Sequence, residues 1–299
     1  MKERLRPYVL PAAIVLGLLL HKWCAYFSFL VPVIIFCILL LTFTAVDLRR
    51  LRLSMLDLWL ILFQLVVSTG SYAAVTLLGG SHIVAEGVLI GVLCPVASAV
   101  AVVATMLGAN RETVTTYTIV GNLMVAVAAP FIFTLVGDHP EMSFTDSLLL
   151  MFGKIGSTLA LPFFLAVLLQ FMLPTANAFI ARYKGAGFYL WALALLFTLG
   201  QTIDYIFRHG EGNWGSIAWL GALALAYCAL QFGFGRWLGR RHGDVVSGGQ
   251  LLGQKNSAIG IWMANTFLTP LSSVFLAFYS IYQNLFNAWQ LARTKRRNP

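Results

Sequence analysis

The sequence predicts an all-α polytopic membrane protein, with ten transmembrane helices arranged as two inverted five-helix repeats. Three observations predict it. Of 299 residues, 59% are hydrophobic and only 10% charged, where a soluble chain carries about 25% charged residues. Apolar stretches of about 20 residues, enough to span the hydrocarbon of a bilayer, recur from end to end. The basic residues are also sorted by loop: sixteen of the 20 Lys and Arg fall in alternate loops, from Lys2 to Arg297, and only Lys22 and Arg208 in the others.

The first span, 7–25, follows basic MKERLR as the apolar core of a signal peptide would. It runs into His21-Lys22-Trp23 with no small-residue cleavage site, so it reads as a membrane helix. Spans at 26–46 and 56–78 come next, and Gly79-Gly80-Ser81 separates them from the fourth, 82–108. The fifth, 111–137, ends at Gly137-Asp138-His139-Pro140. The second half repeats the pattern at 147–173, 187–207, 214–238, 244–268 and 269–292. Five spans per half is an odd number, so residues 147–292 sit upside down relative to residues 1–137. The charge asymmetry places both termini in the cytoplasm of a cell (inner) membrane. Because the net charge of +9 resides in short loops beside apolar spans, its partner is membrane lipid and not nucleic acid. Cys24, Cys37, Cys94 and Cys228 lie in apolar segments and read as small packing residues.

The fourth span of each half is interrupted by residues unsuited to a helix. Cys94-Pro95-Val96-Ala97-Ser98 breaks the first, and Gly253-Gln254-Lys255-Asn256-Ser257 the second. Broken helices at corresponding positions of inverted halves mark the binding site of a secondary transporter. Each break frees backbone groups and presents a helix N-terminus, which favours an anionic group. Lys255 is the most costly residue of the set, since a charge at the bilayer centre costs about 2.5–3.5 kcal/mol even on a lenient scale.

These residues resemble the bile acid:sodium symporter (BASS) family, whose first break reads approximately C-P-G-G-T-A-S-N and whose second reads E-x-G-x-Q-N-S. Cys94-Pro95, with Ser98 at the threonine position, matches the first, and Gly253 with Asn256-Ser257 the second. Asn110, Pro130, Gln64 and the pair Gln283-Asn284 fall at further family positions. The resemblance implies a core domain (56–137 plus 214–292) whose two broken helices cross, and a panel domain (7–46 plus 147–207) packed against it. It also implies alternating-access transport of organic anions, carboxylates or sulfates. Ser98, Asn256, Ser257, Gln283 and Asn284 would contact the substrate, with Gln64, Gln254, Lys255 and Thr118 at ion or coupling positions.

The departures concern sodium. The family's first sodium site uses the acidic residue of the second break and Ser-Asn of the first, and these positions hold Leu251, Val100 and Ala101. Val114 replaces a serine four residues before Thr118, and Lys255 replaces a glutamine of the second sodium site. The expectation is therefore a sodium-independent carrier with no cofactor, in which Lys255 stands in place of an ion. A lysine can also release its proton during the cycle, so proton coupling is an alternative, as is ordinary sodium coupling. An intramembrane enzyme is not expected, because all five histidines lie at span ends or in loops and no two acidic residues share a span interior. A channel or receptor is the remaining rival, against which the inverted halves with central breaks argue.

Overall fold

Polar residues that precede the apolar runs act as helix starts. Ser54 and Asp57 form a reciprocal capping box at the head of one helix. Asn110 accepts from the backbone N–H groups of Glu112 and Thr113, Ser143 from Asp146, and Asp244 from Ser247. Each satisfies N–H groups that have no partner within the first helical turn.

The computed structural model describes residues 12–13, 15–47, 52–97, 100–137, 143–183 and 185–297. After a helical stretch within 12–19, its helices are α1 (His21–Thr44, with a 3-10 turn at Phe27–Leu30), α2 (Met55–Leu77), α3 (His82–Leu93), α4 (Val100–Met106), α5 (Arg111–Val136) and α6 (Phe144–Met172, with a π-helical turn at Gly156–Ala160). The second part holds α7 (Pro174–Ala181), α8 (Ala186–His209), α9 (Trp214–Arg241), α10 (Val245–Gly253), α11 (Ser257–Phe267) and α12 (Val274–Arg297). Among the described residues there is no strand. Six helices, α1, α2, α5, α6, α8 and α9, are long and apolar enough to cross a membrane. The chain is an all-α membrane protein. The interrupted runs fall short of that length because each is split: α3 from α4 at residues 94–97, α10 from α11 at residues 254–256.

Two features depart from the sequence reading. Helix α1 opens at His21, not at residue 26. A Cβ built on Gly17 would meet Leu196 and Gly200 of α8, one on Gly200 would meet Cys24, and His21 Nδ1 lies 3.0 Å from Asp204 Oδ1. Gly17, His21 and Cys24 thus face α8 together, and the Asp204 carboxylate that holds His21 also receives Arg208 Nε at 2.8 Å. Residues 7–11 and 14 of the first expected span lie outside the described residues. The short helix α7 is the second departure, and its Asn177 donates to the end of α1 at Thr44 O (3.2 Å).

Helices α1, α6, α7 and α8 pack on one another, as do α2, α3, α9, α10 and α12. Helix α11 packs on α3 and α12 and helix α5 on α2, and the two groups meet where α8 lies on α11 and α6 lies on α5. The closest helix pair is α9 with α10. A Cβ on Gly248 would sit 2.3 Å from the Gly235 carbonyl oxygen, and one on Gly235 would sit 2.3 Å from that of Gly248. Backbones this close admit only glycine, as in small-residue contacts between membrane helices.

Candidate functional site

The two interruptions meet. Val96 and Lys255 form an isolated antiparallel bridge. Asn256 N–H donates to Pro95 O at 2.8 Å and Ala97 N–H to Gln254 O at 3.1 Å. Pro95 ends α3 because it has no N–H to donate, yet its carbonyl remains available across the crossing.

The other backbone groups freed by the breaks find side chains. Gln64 Nε2 donates to Leu93 O (2.6 Å) and Cys94 O (3.0 Å), while its Oε1 accepts from Tyr117 OH at 2.9 Å. Gln283 grips the Lys255 backbone from both sides, accepting from its N–H at 2.8 Å and donating to its carbonyl at 3.1 Å. Tyr279 OH donates to Gly253 O at 2.8 Å, and the Cys94 thiol donates to Asn256 O at 3.1 Å. That thiol fits because residue 260 is glycine, where a Cβ would stand 2.7 Å from the sulfur. Irregular backbone at membrane depth is tolerated only where it is satisfied in this way.

The Lys255 side chain is 1% exposed. Its Nζ donates to Val92 O at 2.8 Å. The ammonium therefore sits at the C-terminal end of α3, where the carbonyls carry the negative end of the helix dipole. Gln64 covers the next two carbonyls of the same end. Among the described residues no carboxylate lies within ion-pair distance of Lys255. An ammonium has three donors, so this cation has capacity beyond the Val92 bond.

The positions associated with sodium in the resemblance are filled by hydrocarbon. Val100, Val114 and Leu251 are each at most 1% exposed and belong to one apolar cluster with Leu60, Val96 and Tyr117. The Thr118 hydroxyl bends back to Val114 O at 2.7 Å within its own helix. Sodium takes hard oxygen ligands, and the side chains of Val100, Val114 and Leu251 offer none. This donor set does not fit the ion. The side chain of Ala101 lies outside the described residues.

The remaining residues singled out in the sequence divide. Asn256 caps α11, its Oδ1 accepting from Ile259 N–H at 3.4 Å. Ser257 is buried beside it, and its hydroxyl has no partner among the described residues. Gln254 turns the other way and donates to Gln250, whose Nε2 donates to Gln290 Oε1 at 3.0 Å. Asn284 Nδ2 donates to Ser280 O at 2.8 Å on its own helix. Ser98 lies outside the described residues.

Sequence reasoning passed over Tyr279 and Gln250, while Tyr117 and Asn265 read from the sequence as polar span residues that serve helix packing. Nothing local indicates which group a tyrosine hydroxyl reaches, Gln64 Oε1 for Tyr117 and Gly253 O for Tyr279. Asn265 is half-buried, and neither atom of its amide has a partner among the described residues. It stands seven residues after Ala258, hence on the same face of α11. Ala258 packs on Ile34 and Ile38 of α1 and Trp191 and Ala194 of α8. The Asn265 amide thus has unused hydrogen-bonding capacity on a face of α11 that, at Ala258, packs against the other helix group.

No family model matches the chain, and no curated protein matches it.

Proposed function

We propose that the chain is a secondary transporter of small organic anions that works by alternating access about the crossing of α3–α4 with α10–α11, independently of sodium. The observation that carries this reading is the crossing itself: two interrupted helices paired at Val96 and Lys255, with a buried ammonium where the resemblance places a sodium ligand. In the BASS-like arrangement, ten spans form two inverted repeats, with α2–α5 and α9–α12 as core and α1, α6 and α8 as panel. The substrate carboxylate or sulfate binds on the core–panel face of α11, near Ser257 and Asn265. Both termini are cytoplasmic and the membrane is the inner one.

Lys255 carries out the work of an ion by holding the end of α3 against the second break. A cation about 4 Å from this ammonium would be repelled by ~4 kcal/mol at an effective dielectric near 20, roughly a thousandfold in affinity. A permanently charged lysine makes the carrier uncoupled, and one that releases its proton makes it proton-coupled.

Uptake of a panel of carboxylates and sulfates into proteoliposomes tests the proposal. We expect transport of at least one of them at an equal rate in sodium and in choline. An imposed acid gradient that accelerates uptake identifies proton coupling. Lys255→Gln is expected to lose uptake without gaining sodium dependence, because Leu251 still supplies no carboxylate. Stimulation of the wild type by millimolar sodium over equal choline would show the role given to Lys255 to be wrong.

A further inference from the structure

A pair of cations lies away from the crossing. A cavity of about 360 Å³ opens between the C-terminal parts of α9 and α12, walled by Phe286 and Trp289 and holding Arg236, Arg293 and Gln290. None of the described residues lining it is acidic. Among the described residues, neither guanidinium has a carboxylate within ion-pair distance. Arg293 instead lies over the Trp289 ring, 5.5 Å from its centroid, which leaves the fork of N–H groups open. Both guanidinium groups line the same cavity, so an anion held there is attracted by each of them.

Behind the cavity runs a chain of three amides. Gln290 Oε1 accepts from Gln250, and Gln250 accepts from Gln254, the residue next to Lys255 in the second break. The cavity is thus connected by side-chain hydrogen bonds to the crossing without being part of it.

We propose that this cavity binds an oxyanion, with Arg236 and Arg293 as its two cationic arms and Trp289 as its wall. Guanidinium groups present paired N–H donors that match the oxygens of phosphate, sulfate or carboxylate. The same chemistry is offered by a phospholipid headgroup and by a free oxyanion. The site stands whether or not the chain transports anything.

The test uses the purified full chain in a neutral detergent. One arm measures equilibrium binding of radiolabelled sulfate at constant ionic strength; the other measures retention of dioleoylphosphatidylglycerol against dioleoylphosphatidylcholine by native mass spectrometry. We expect saturable sulfate binding, selective retention of phosphatidylglycerol, or both. Sulfate alone identifies a free-oxyanion site, and phosphatidylglycerol alone a headgroup site. A charge-assisted bond is worth about 1.5–3 kcal/mol, so Arg236→Gln and Arg293→Gln should each weaken binding about tenfold or more. Arg236→Lys with Arg293→Lys keeps the charge and should retain part of the affinity, which guards against a misfolded glutamine variant. Trp289→Phe in the presence of ligand should remove a fluorescence change seen in the wild type, locating the anion in this cavity. Absence of saturable binding of either probe, or undiminished binding in the glutamine variants, overturns the proposal. Neither readout involves transport, so the uptake reading is tested separately.

Discussion

Gln283 and Asn284 are adjacent in the chain but do different work. The Gln283 amide supplies both partners of the Lys255 backbone, whereas the Asn284 amide bonds a carbonyl within its own helix. Leaving a buried backbone group unpaired costs about 1–3 kcal/mol. Gln283→Leu should therefore lower the melting temperature in detergent and abolish uptake, while Asn284→Leu should leave the melting temperature close to wild type. Equal stability of the two variants would mean that the crossing does not depend on the Gln283 grip. The adjacent Lys255 belongs to the same unit, since its backbone is held by Gln283 and its ammonium holds Val92 O.

Among the elements, the hairpin of α9 and α10 positions the second break. Its glycines set how closely the two backbones approach, and hence where Gln254 and Lys255 emerge relative to α3. A side chain at residue 248 has to displace backbone, because a Cβ there would lie 2.3 Å from the Gly235 carbonyl oxygen. Overpacking of this kind costs about 1–3 kcal/mol. Gly248→Val is expected to reduce thermal stability and transport together. Gly233→Ala on the same α9 is the control, since nothing lies within 4 Å of a Cβ built there; alanine in a helix interior gains about 0.5–1 kcal/mol over glycine. Thermal unfolding followed by fluorescence-detected size exclusion separates the two, and a Gly248→Val protein as stable as wild type would refute the close-contact account.

For the whole molecule, the distribution of charge carries the topological prediction. Sixteen basic residues in loops and helix ends of one set, against Lys22 and Arg208 in the other, correspond to cytoplasmic termini and an even number of spans. Reporter fusions after Pro299 and between Gly137 and Ser143 should label opposite sides of the membrane. Labelling of both on one side would remove the ten-span arrangement and, with it, the inverted halves.

The membrane character of the chain was legible because it depends on composition and run length, which need no tertiary information. So were the two interruptions, since Pro95 and the run Gly253–Ser257 oppose a helix locally. The caps at Ser54, Asn110, Ser143 and Asp244 are likewise local, each reaching a backbone group two or three residues away. The sequence by itself also determined that oxygen-bearing side chains are missing at Val100, Val114 and Leu251. Only the tertiary structure decided that these three pack into one apolar cluster, that Lys255 reaches Val92 O across 163 residues of chain, and that Tyr279 rather than Asn284 serves the second break. The physical reason is that a freed carbonyl accepts from any donor the fold brings within about 3 Å. Which donor arrives is set by how the helices pack, and pairwise packing over such separations leaves no mark in the local order of residues.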